Sequence, residues 1–162
     1  MPGKNGLCIA TSLNCCGASP PTPTEIQVLL RGTCFSEPRS TAGAAALAAT
    51  RTLSAADRQR LVGALAAARD RGPTRRVNDS RLHLAVAAAS GSPSLAASVA
   101  DVQLTLDRLL AAIPVIRRNL DHSDAQHDRI VDAILHGDAV AARAAMEEHC
   151  DGTAELLRGL LG

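Results

Sequence analysis

The chain has 162 residues, 46 % of them apolar, with 17 basic against 16 acidic side chains and a mean hydropathy of +0.06. That length supports one domain with a buried core built from Ala, Leu, Val and Ile. A single aromatic residue, Phe35, excludes nucleobase stacking as a recognition mode, and a formal net charge of +1 gives no basic face for a phosphate backbone.

Residues 1–35 are broken by Gly3, Gly6, Gly17, Pro20, Pro21 and Pro23 and carry no sustained hydrophobic period, so they read as a disordered or irregular leader. Within them only Thr24 to Arg31 could form a helical turn or two. The stretch Gly6 to Leu13 is interrupted by Thr11 and Ser12, too short and too polar for a signal peptide, and no run approaches a membrane span. A cytoplasmic protein is expected. Of five cysteines, Cys8, Cys15, Cys16 and Cys34 lie in this leader and Cys150 far from them, with no Cys-x-x-Cys pair to suggest a cysteine zinc site.

Residues 36–162 read as one helical domain. Thr41 to Thr50 is Ala-rich and of high helix propensity. Ser54, with Asp57 three residues on, marks a helix start whose apolar stripe is Leu61, Leu65 and Ala68 before Gly72 and Pro73 end it. A third helix is predicted from Asn78 or Asp79 through Leu82, Val86 and Ala89 to a stop at Ser90-Gly91. Pro93 then opens a helix carrying Leu95, Val99, Val102, Leu106 and Leu109, with Pro114 expected to kink or end it. Ser123 with Gln126 has the form of a capping box, predicting a short helix from there to Gly137, and Asp138 caps the last one. No segment alternates with period two. The fold class is therefore all-α, an antiparallel bundle of about six helices.

Asp79 and His83 are four apart and share a helix face, so they can offer a carboxylate oxygen and an imidazole nitrogen to a common point. His127 and His149 lie on two later helices and could complete a site of one Asp and three His. Nitrogen and oxygen donors of this kind suit a divalent transition metal, zinc first, with nickel or manganese as alternatives. Each of these His is also explicable as an ordinary surface or core residue. His122 is read as preceding its helix, and His136 in a last turn is explained by the helix dipole, so both are left out of the site.

The stretches Asn78 to His83, Ala88 to Gly91, Gln126 to Ile134, Gly137-Asp138 and Met146 to His149 together resemble the FCD domain, the C-terminal effector-binding domain of one branch of the GntR-family bacterial transcription regulators. Ala45 to Ala49 and Leu53 to Leu65 resemble its opening helices, so the likeness spans roughly residues 36–160. It implies a bundle of six or seven helices that holds a divalent metal through residues matching Asp79, His83, His127 and His149, and that binds a small organic acid at or beside the metal. It also implies a homodimer and an N-terminal winged helix-turn-helix, for which residues 1–35 are too few; DNA binding is expected only if such a domain is supplied upstream. The family's first helix bears an Arg and a Glu facing the pocket. Arg39 is the nearest counterpart of that Arg and is the candidate effector contact, while Thr41 stands near the Glu position. Two other classes remain open: a metal-dependent enzyme using the same Asp and His residues, and a structural or oligomerising bundle in which the His are incidental.

Overall fold

The computed structural model describes residues 39–111 and 117–161, which form six helices and no strand. We number them α1 (39–49), α2 (Ala55–Ala68), α3 (Arg75–Ala89), α4 (Pro93–Ala111), α5 (Arg117–His136) and α6 (Ala139–Leu161). The fold is all-α, as expected from the absence of period-two alternation. The leader, its cysteines, Thr24 to Arg31 and Pro114 lie outside the described residues.

Alanine explains how α1 fits. Ala42, Ala45, Ala48 and Ala49 pack into a core with Leu61, Leu82, Val86, Ile130, Ile134 and Met146, whereas Ala44 turns to a second cluster with Ala87 and Val99. A helix apolar on several sides belongs inside the molecule, and methyl side chains let its neighbours approach closely. α2 packs on α3 and α5, α3 on α4, and α5 on α6. This arrangement brings the middle of α3 against the facing surfaces of α5 and α6.

Local chemistry sets most of the helix ends. Ser54 Oγ accepts from the Asp57 amide at 3.1 Å and donates to Asp57 Oδ2 at 2.6 Å. Gly91 and Gly137 take φ of +67° and +78°, which a side chain would strain. At Gly137 the amides of Gly137 and Asp138 bond the carbonyls of Ile134 and Ala133 at 3.2 and 2.9 Å, the paired closure of a Schellman motif. Asp138 then accepts from the Ala141 amide at 2.9 Å to start α6.

Two helix starts differ from expectation. α3 begins at Arg75, three residues before Asn78, because Asp70 folds the preceding turn by accepting from the Gly72 amide and the Thr74 hydroxyl at 3.0 and 2.6 Å. Asn78 N–H is already bonded to the Thr74 carbonyl at 2.9 Å. α5 begins at Arg117, so Ser123 and Gln126 lie inside a helix and form no capping box, and His122 is helical too. Tertiary ion pairs hold the extra turns, with Arg71 reaching both Asp121 and Asp124 at 2.7 and 2.8 Å. A Ser-x-x-Gln pattern caps only where the chain before it leaves the helix.

Candidate metal centre

Moving the start of α3 back to Arg75 places Asp79 in the second turn and His83 in the third, on the face turned toward α5 and α6. His127 is set on α5 beside Ile130 and Val131, and His149 on α6 beside Cys150, all buried. The three imidazoles are themselves nearly inaccessible, at 4 %, 1 % and 6 % for His83, His127 and His149. Their rings turn their Nε2 atoms to one point: His149 Nε2 lies 3.2 Å from that of His127 and 3.3 Å from that of His83. Asp79 completes the cluster, with Oδ1 3.6 Å from His127 Nε2 and Oδ2 3.9 Å from His83 Nε2. All four residues singled out in the sequence are thus brought together.

The donor set fits a small cation. Nitrogen ligands about 2.0–2.1 Å from a tetrahedral ion stand roughly 3.3–3.4 Å from one another, and the two Nε2 separations are close to that edge. Proton bookkeeping points the same way. Gln126 Oε1 lies 3.0 Å from His149 Nδ1. A carbonyl oxygen only accepts, so His149 Nδ1 carries the proton and donates it to Gln126. His149 Nε2 is then a bare lone pair, able to accept one hydrogen while two other rings crowd it. The outer nitrogens of His83 and His127 have no hydrogen-bond partner among the described residues. A cation at the centre would engage all three inner lone pairs at once.

Electrostatics keeps the three imidazoles in ligand form. Burial, followed by the positive fields of His149, His83 and Arg75, pushes the His127 pKa far below the usual imidazole range. Burial with the fields of His83 and His122 takes His149 down to about 3. His83 is lowered by burial against the opposing pull of Asp79. Asp79 is raised by burial, although His83 and Arg75 counteract this and 28 % of its side chain remains open to a neighbouring cavity. Neutral imidazole is the form that ligates metals.

That cavity, about 240 Å³, opens beside the cluster and is lined by Asp79, His83 and His149 together with Arg75, Asp107 and Gln126. Leu106, Leu110, Leu120 and Leu156 supply apolar wall. A polar cluster beside a small, partly apolar cavity is the layout of a site for a small polar ligand.

A family model described as the FCD domain matches residues 41–152. The chain belongs to the FCD domain family. FCD domains are regulatory ligand-binding domains rather than an enzyme family, and the match spans all four clustered residues and most of the cavity wall. No curated protein matches the chain significantly.

Arg39, the expected effector contact of this FCD domain, is an exposed residue at the start of α1 and is not among the residues lining the cavity. The cavity takes guanidinium groups from Arg75 and Arg76 of α3. His122, set aside because α5 was expected to start after it, also lines the wall. Reasoning from the sequence missed Arg75 and Gln126 as well. Arg75, Asp79 and His83 share an i, i+4, i+8 register, a signal that becomes visible once α3 starts at Arg75. Gln126 adjoins a candidate ligand in sequence but serves His149, on another helix.

Proposed function

We propose that this FCD domain is the metal-containing effector sensor of a GntR-type transcription regulator, with residues 36–162 as the sensing domain. Asp79, His83, His127 and His149 would hold one divalent transition ion, zinc foremost, with nickel or manganese as alternatives. The observation that carries the reading is the convergence of three buried Nε2 atoms, 3.2 and 3.3 Å apart, beside a carboxylate at the end of a cavity. A divalent ion with one Asp ligand keeps net positive charge and offers a docking point to a carboxylate. The effector in this reading is a small organic acid.

The chain's own residues do the rest. Gln126 holds the His149 ring in one tautomer, and burial keeps the imidazoles neutral. The ligand bridges α3, α5 and α6, so its binding favours one packing of these helices, and differential affinity between two packings is what makes a sensor. Operator contact is assigned to a winged helix-turn-helix separate from the bundle, in a cytoplasmic homodimer. Among the described residues no helix is long and apolar enough to cross a membrane.

Metal analysis of the purified chain tests this directly. One ion per chain is expected after supply of zinc, nickel or manganese, together with a melting temperature that falls on chelation. His127→Ala should abolish stoichiometric metal while the helical circular dichroism persists. A chain that takes up no metal and melts identically with and without chelator would remove the basis of the reading.

A further inference from the structure

The cavity contains a second place for negative charge that the metal site does not use. Arg75 is 6 % exposed and lines the wall, and its Nη2 forms an ion pair with Asp124 Oδ1 at 2.6 Å whose alignment leaves that oxygen without a hydrogen bond among the described residues. The other oxygen of Asp124 is engaged by Arg71 at 2.8 Å, so this carboxylate is divided between two guanidiniums. Arg75 Nη1 is buried and has no hydrogen-bond partner among the described residues. A guanidinium stays charged at any physiological pH and only donates, so a buried N–H left over on it calls for an acceptor.

We propose that the ligand of this cavity is a short-chain dicarboxylate, one carboxylate meeting the cation of the Asp and His cluster and the other meeting Arg75. The inference rests on the metal-and-acid reading above and deepens it. Arg75 precedes Asp79 by one turn of α3, and its partner Asp124 precedes His127 by about one turn of α5. The two anchor points are therefore displaced by roughly one helical turn, ~5 Å along the axes, a span that two or three carbons between carboxylates can bridge. Leu106, Leu110, Leu120 and Leu156 accommodate that carbon chain. At about 240 Å³ the cavity falls below the usual range for drug-sized ligands, which limits the occupant to a few carbons. A monocarboxylate would leave Arg75 Nη1 unanswered. An amine at the far end is disfavoured by the positive charge of Arg75 and would have to turn to Asp107, which accepts from Ser80 Oγ at 2.9 Å.

The test is calorimetric titration of the zinc-loaded full chain with succinate, butyrate and 4-aminobutyrate, which share a four-carbon backbone and differ at the far end. Succinate should bind at least about tenfold tighter than butyrate, the effect of one charge-assisted bond to a guanidinium. Arg75→Gln should erase that advantage, read as the ratio of succinate to butyrate affinity on the zinc-loaded variant, and Arg75→Lys, which keeps the charge without the fork, should retain part of it. Equal binding of succinate and butyrate by the unaltered chain would overturn the inference and leave the metal-and-acid reading standing. So would tighter binding of 4-aminobutyrate, which would make Asp107 the selective group. If no carboxylate binds the zinc-loaded chain at all, the broader reading fails with it.

Discussion

Gln126 illustrates how one uncharged side chain sets the chemistry of a cluster. It is 3 % exposed, and its amide oxygen is committed to His149 Nδ1. Replacing Gln126 by Leu frees His149 to turn or to place its proton on Nε2. Zinc affinity should fall about 10- to 100-fold, the usual effect of losing an outer hydrogen-bond partner of a ligand, with helix content unchanged. Competition titration with a chelating dye reads this directly; unaltered affinity would mean that packing alone orients the ring.

At the scale of helices, short-range signals located the ends that local hydrogen bonds determine. Ser54, Gly91, Pro93, Gly137 and Asp138 each stand where sequence chemistry predicts, because caps and left-handed turns need few partners beyond their own neighbours. Gly137→Ala should therefore lower stability by about 1–2 kcal/mol in urea melts, the cost of forcing a side chain into a left-handed conformation. A change below a few tenths would show that the turn relaxes. The starts of α3 and α5 were misplaced for the complementary reason. Asp70 and Arg71 extend both helices from outside them, through the turn before α3 and through ion pairs to Asp121 and Asp124, and no pattern within α5 reveals that Arg71 lies against it.

For the whole molecule, burying three neutral imidazoles at one point couples folding to pH. With metal removed, the rings are neutral above about pH 6.5 in folded and unfolded chain alike, so they take nothing from stability there. As pH falls below that value the unfolded chain takes up protons that folded His83, His127 and His149 refuse, and stability drops until the depressed folded values are reached, about 3 for His149. Each ring contributes up to about 1.4 kcal/mol per pH unit in that window. Asp79, whose pKa is raised on folding, opposes them, since the folded carboxyl gains its proton at a higher pH than the unfolded one. Thermal melts of the chelated protein from pH 8 to pH 4 should show a melting temperature that declines below 6.5, and one that declines more steeply with zinc present because metal ligation competes with protons. A flat apo profile would contradict neutral burial of the three rings.

What the sequence by itself determined is the kind of protein and its candidate ligands. Period-three-and-four apolar patterning with no period-two run specifies helices, the four-residue step from Asp79 to His83 places two donors on one face, and the resemblance carried by Asn78 to His149 marked the FCD family. These are local properties, legible because helical geometry fixes what residues three and four apart can do. Only the tertiary structure decided that His127 and His149 meet that pair, that the cavity's guanidinium comes from Arg75 while Arg39 stays at the surface, and that Gln126 on α5 steadies a ring on α6. Each of those depends on how separate helices rotate and slide against one another, and packing of side chains distant in sequence, here largely the alanines of α1 and the core around Leu82, Ile130 and Met146, sets that rotation.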